Sequence, residues 1–360
     1  MPGRPHQAAA QIADDSPMPM SRPVSRHSLP LASLLCAAAA VVALTGSGAA
    51  SAAIATPTAT RVSTVPGTTC PRFPADNVWN ADISTLPVNK HSKAWIANMG
   101  GPGRRLHPDF GPSYGAQPVP YGIPVTVVKA GHAKVKVRFD YAAESDKGPY
   151  PLGKDTKVEG GLNSGGDLHA IVVDASTCKL YETWDTQKTP AGWTAGSGAI
   201  WSLTSDKLRP AGWTSADAAG LPIMPGLLSY DEVKAGKVTH AIRFTTIVTD
   251  KTYLWPARHQ AGSVSNHSYP PMGARFRLST HYNPAGLAPA TRVVIRAMQH
   301  YGLILADNGS PWYFQGTADN RWPGAVLDQL KAIPASAFVA IDESSLVISK
   351  NSAAVKTRHT

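Results

Sequence analysis

The sequence predicts a β-rich α+β fold, a β-sandwich-like core with two or three helices packed toward the C-terminus. Three observations carry this expectation. Short alternations of apolar and polar residues, bounded by Gly, Pro and Asn/Asp turns, dominate the middle of the chain. Helical periodicity shows mainly after residue 290, and no second linker interrupts residues 70–349, so a single globular domain fits the length.

Arg22 and Arg26 precede an uncharged stretch, 29–44, and Ala50, Ser51 and Ala52 supply small residues behind it. That order is the order of a signal peptide, so residues 1–52 are expected to be a leader and the protein to be secreted and extracellular. The apolar stretch falls short of the about 20 residues that span a bilayer, so no membrane span is expected. Residues 53–69, rich in Ala, Thr, Ser and Val, read as a flexible linker. Loss of the leader removes Cys36 and leaves Cys70 and Cys178, an even pair in an oxidising compartment. A disulfide between them is expected.

In 134–141, Val135, Val137 and Phe139 alternate with Lys136, Arg138 and Asp140. With the 123–128 run before it and Gly131 between, this predicts a hairpin. A second hairpin joins 167–174 to 178–185 across Ala175, Ser176 and Thr177, and 240–248 reads as a further strand. Val293, Val294, Ala297, Met298 and Tyr301 share one face of a helix that Gly302 ends. Val326, Leu327 and Leu330 mark another helix, with 303–306 a buried strand between the two. Residues 350–360 read as a polar tail.

Without the leader, 31 Lys and Arg stand against 22 Asp and Glu, a net charge of +9. A basic surface suits acidic partners such as uronic-acid polymers or teichoic acids. The chain has no Lys/Arg run of five or more and no zinc-finger or RNA-binding signature, which argues against nucleic acid. Absence of a G-x-S-x-G elbow, an H-E-x-x-H pair, a Walker loop and a Rossmann fingerprint disfavours the common serine hydrolases, zincins and nucleotide-driven enzymes.

What remains is a set of polar residues that strand geometry brings together. Asp167 and His169 lie two apart on one predicted strand, Glu182 and Trp184 two apart on its partner, and residues two apart share a face. Carboxylates, an imidazole and an indole in one patch are the makings of a sugar site. Asp231 joins Asp167, His169 and Glu182 as a catalytic candidate from a loop-rich stretch. Trp184, Arg258, His259 and Asp307 are the substrate-binding candidates, an Arg beside a His being suited to a carboxylate or a developing oxyanion. Trp79, Trp193, Trp201, Trp213, Trp312 and Trp322 are candidates for a carbohydrate-facing surface. The histidines form no metal-ligand spacing, so neither metal nor cofactor is expected.

The strings GGLNSGGDLHAIVVD, GWTSADAAGLPIMPGL, PARH, PPMGARFRL and ADNGS are similar to a widespread set of exported bacterial proteins. The resemblance covers most of residues 70–349. It implies bacterial export and one extended domain, and it brings no catalytic residues with it. The leading expectation is a monomeric secreted glycoside hydrolase acting on a polysaccharide or cell-wall glycan. A lyase on an acidic polysaccharide, with His169 or His240 as base and Arg258 neutralising the uronate, is the second, and a non-catalytic glycan-binding protein the third.

Overall fold

The computed structural model describes residues 63–113 and 119–356. The expected signal peptide, and the linker as far as residue 62, lie outside the described residues. In chain order the first elements are α1 (Ser92–Asn98), β1 (His107–Asp109), β2 (Val125–Val128), β3 (Val137–Phe139), β4 (Ala170–Asp174), β5 (Lys179–Trp184), β6 (Gln187–Thr189), β7 (Gly192–Ala195) and β8 (Ser197–Ser202). Next come α2 (Tyr230–Lys234), β9 (Ile242–Thr246), β10 (Asp250–Tyr253), β11 (Pro271–Met272) and β12 (Arg275–Leu278). The chain closes with α3 (Pro289–His300), β13 (Leu303–Asn308), β14 (Tyr313–Gln315), α4 (Gly324–Lys331) and β15 (Phe338–Ala340). The fold is β-rich α+β, with its two longest helices toward the C-terminus.

A mixed six-stranded sheet runs β1-β14-β9-β13-β12-β15, and a four-stranded sheet runs β2-β4-β5-β8. In β4, Ile171 and Val173 join the main core shared with Ile242, Phe244 and Leu305 of the large sheet. Ala170 and Val172 point the other way, into a second cluster with Tyr150, Tyr181 and Trp193. Both faces of β4 are therefore buried, which is why AIVVD carries no polar alternation until its end. Helix α3 buries Val293, Val294, Ala297 and Met298 and stops before Gly302. Gly302 has φ +70°, and a Cβ there would lie 2.4 Å from the Phe276 carbonyl oxygen, so only glycine fits.

The hairpin of β4 and β5 forms in the expected register, with Ile171 opposite Glu182. The other expected hairpin does not form. β2 pairs in parallel with β4, and β3 pairs in parallel with β7. The Gly131 turn is real, with His132 N–H donating to the Lys129 carbonyl at 3.2 Å, but a turn fixes only a change of direction. The doubly apolar β4 offers β2 a better edge than its sequence neighbour does.

Cys70 and Cys178 form the expected disulfide, Cα atoms 5.3 Å apart. The folded part is wider than 70–349. Val65 is buried in the core, and residues of the expected tail make bridges, Ser352 to Lys207 and Ala354 to Asn77. Among the described residues no helix is long and apolar enough to cross a membrane.

Candidate active site

Strand alternation sorts β9 into two faces. Ile242 and Phe244 pack in the core, so Arg243 and Thr245 point to the opposite side. β14 meets β9 with Phe314 against Phe244, which puts Tyr313 and Gln315 on the side of Arg243. β1 adds His107 opposite Tyr313 and Asp109 opposite Gln315, and β13 adds Asp307 opposite Thr245. One face of the large sheet thus carries seven polar or aromatic side chains contributed by four strands.

Their contacts are specific. Arg243, 2% exposed, directs Nε at Asp217 Oδ2 (3.3 Å) and Nη2 at Asp307 Oδ2 (3.7 Å). Gln315 Nε2 donates to Asp109 Oδ2 at 3.1 Å, and the Tyr121 hydroxyl donates to Asp109 Oδ1. The His107 and Tyr313 rings stack 4.0 Å apart at 13°. From the small-sheet side comes His169, whose Nδ1 lies 2.6 Å from Glu159 Oε2.

One guanidinium serves two carboxylates, so the pair does not hold two full charges cheaply. Burial pushes Asp217 up to about 7, with Arg243 opposing the shift and Asp307 adding to it. The fully buried Asp217 is the partner pushed toward its neutral form, while Asp307 lies nearer solvent. Burial also raises Asp109, against its hydrogen bonds from Tyr121 and Gln315. Burial works against a charged His169, yet the Glu159 carboxylate overrides it and lifts the ring to about 9, so His169 is an imidazolium at neutral pH.

Three buried side-chain atoms around Arg243 have no hydrogen-bond partner: His169 Nε2, Asp217 Oδ1 and Gln315 Oε1. Asp217 bonds Arg243 directly, His169 feels its charge, and the β14–β9 register sets Gln315 opposite it. Native interiors seldom leave such atoms unpaired. A ring N–H, an amide oxygen and a carboxyl oxygen gathered around one cation are what a polyhydroxylated ligand needs.

The sequence-derived candidates divide. Asp167 and His169 do not share an open face, because Leu168 has φ +51° and Gly166 φ +100°, which breaks the parity before β4 begins at Ala170. Asp167 is exposed and accepts from the Trp184 indole at 3.4 Å, while His169 turns inward. Glu182 is fully buried, and its oxygens accept from Ile223 N–H (3.0 Å), Met224 N–H (2.8 Å) and Trp201 Nε1 (3.2 Å). Burial moves it up to about 6 against those donors. It caps a turn and does not open onto a groove with His169, which corrects the expectation of a solvent-facing pair.

Arg258 is buried and donates to Arg209 O (2.7 Å) and Asn351 Oδ1 (2.9 Å), tying down the C-terminal segment. This guanidinium is committed to structure and is not presented to a uronate, another correction. His259 Nδ1 lies 2.9 Å from Ala218 O, behind the turn that bears Asp217. His240 is enclosed with Glu232, which Arg72 engages at 2.9 Å. Asp231 lies on the surface, paired with Arg321 at 2.8 Å. Of the eight site candidates, His169 and Asp307 are the two whose side chains join the Arg243 cluster. Of the six proposed surface tryptophans, five are buried and Trp213 is half-buried. The core claims them because indoles beside Gly and Pro still find apolar volume to fill.

Sequence reasoning passed over Tyr121, Glu159 and Gln315. Glu159 had a signal, standing directly before the glycine-rich 160–166 stretch. Gln315 had none, since its placement depends on the β1–β14 pairing across 206 residues, and Tyr121 meets Asp109 across 12 residues that no periodicity marks. Among the described residues no three His, Cys, Asp or Glu side chains group as a metal site. No protein-family model, curated protein or solved structure matches this chain.

Proposed function

We propose that the protein is a secreted glycoside hydrolase whose reacting pair is Asp109 and Asp307. The observation that carries this reading is one sheet face holding a carboxyl group raised by burial and a carboxylate held by Arg243, beside unpaired donors and acceptors. In this reading Asp109, steadied by Tyr121 and Gln315, gives its proton to the glycosidic oxygen. Asp307 works from the other side of the sugar as the base that activates water, and Arg243 with Asp217 fixes its orientation from beneath. The stacked His107 and Tyr313 rings offer a flat wall for a pyranose.

The lyase alternative loses ground at this site. Asp307 and Asp217 engage Arg243 and Glu159 engages His169, so neither cation is left to neutralise a uronate. The binding-only alternative does not account for a carboxyl group held ready to carry a proton.

Asp109→Asn and Asp307→Asn should each lower reducing-end release from a polysaccharide panel by about 10²–10⁴-fold, the usual worth of a positioned acid or base. Melting temperatures should stay near that of the parent. Ultraviolet absorbance of an unsaturated uronate in the products would replace the hydrolase reading with the lyase one. Full activity in both variants would move the chemistry away from this face.

A further inference from the structure

A cavity of about 230 Å³ opens between the segment around Lys157 and the start of α2. Arg321 stands on its rim and is held rigidly for a half-exposed arginine. Its Nη1 donates to Asp231 Oδ1 at 2.8 Å and its Nη2 to Asp319 Oδ2 at 2.6 Å, and its guanidinium lies 4.5 Å over the Tyr230 ring. Arg72, 1% exposed, lines the same cavity. Its terminal nitrogens are taken by Met224 O, Leu227 O and Glu232, but its Nε has no partner.

We infer that this cavity is a second sugar subsite, taking one neutral pyranose unit through a vicinal diol. The inference rests on the hydrolase reading for its substrate class. Three properties lead to it. The volume is below the roughly 300–1,000 Å³ of drug-sized ligand sites and suits a single ring. The charges balance: Arg321 and Lys157 face Asp231 and Asp319, while Arg72 is matched by Glu232, so a neutral ligand loses least on entering. Arg321 keeps N–H groups outside its two ion pairs next to Asp231 carboxylate oxygen, and a donor beside an acceptor is what adjacent hydroxyls require.

Short lengths of chain link the lining of the cavity to the first site. Lys157 precedes Glu159 by two residues, and Thr317, another lining residue, follows Gln315 by two. Ile123, which bridges Thr317, follows Tyr121 by two. Each path is at most about 7 Å of chain, within the reach of adjoining units of one glycan.

The test uses the full mature chain and titrates neutral cello-, xylo- and chito-oligosaccharides, disaccharide to hexasaccharide, into Asp307→Asn protein with and without Arg321→Ala. Affinity should rise with length, and Arg321→Ala should cost about tenfold on the longer oligomers and much less on the disaccharide, as expected for hydrogen bonds to a charged group. An equal loss at every length, or none, overturns the subsite. If length-dependent, Arg321-dependent binding is found but the parent protein cleaves none of these chains, the subsite stands and the hydrolase reading fails. Cleavage by the parent without any length-dependent effect of Arg321 keeps the reading and removes the subsite. If no oligosaccharide binds, both fall.

Discussion

His169 shows how much a single side chain's role depends on what folds against it. Its position before an apolar strand was legible, but its partner Glu159 arrives from a loop, and the left-handed Leu168 turns the ring inward. The consequence is a pH signature. A histidine raised from 6.5 to about 9 binds more protons in the folded than in the unfolded state between those values. Its stabilisation is complete below pH 6.5 and is lost as pH rises through about 9. His169→Gln should therefore lower the melting temperature most at mildly acidic pH, with the gap from the parent narrowing as the buffer is taken from pH 6 to pH 10. A gap that is constant across that range would mean the ring contributes packing alone. Asp217 acts in the same direction in a lower window: raised from 3.8 to about 7, it stabilises fully below 3.8 and ceases to as pH climbs through 7. Glu232, lowered to about 2 by Arg72 and His240 despite burial, works oppositely, its stabilisation present above 4.5 and lost as pH falls through 2.

At the scale of elements, local periodicity named strands well and their partners poorly. The β4–β5 hairpin was readable because a short loop keeps sequence neighbours together in space. The site was not, because it is assembled by β1, β14, β9 and β13, which meet across long stretches of chain. Arg243 and Thr245 alternate with Ile242 and Phe244 in plain view, yet nothing local says that Asp109 will stand on the same face. The strand order also bears on stereochemistry. Asp109 and Asp307 are separated by β14 and β9 and offset by two residues along the strands, about 16 Å between backbones. Two aspartates leaning toward each other do not close that distance to the about 5–5.5 Å of a retaining pair. Cleavage should invert the anomeric centre, which proton NMR of the first-formed product would report; retention would exclude this pair as acid and base.

For the whole molecule, composition and site point in opposite directions. The net charge of +9 over residues 53–360 suggested an acidic substrate, but the site gathers carboxyl groups, so the excess of cations is spread over surface that the candidate site does not use. The disulfide is a feature of the whole molecule that an even pair of cysteines outside the expected leader made readable. It ties the start of the folded chain to the turn between β4 and β5 across a separation of 108 residues. A closed loop of that length is worth about 4–5 kcal/mol through the unfolded state, and at about 2–4 °C per kcal/mol for a domain of somewhat smaller size its loss should lower the melting temperature by about 10 °C. The main core holds the sheets together without it, so a Cys70→Ala, Cys178→Ala double variant should still fold. Cys178 and Trp184 stand at opposite ends of β5, about 20 Å of strand apart, and the Arg243 face lies toward the Trp184 end. The double variant should therefore keep the parent's cleavage rate at 25 °C while melting earlier. Unchanged melting would show that the bond constrains nothing the fold does not already fix, and lost cleavage in a folded variant would show that the bond holds the site itself.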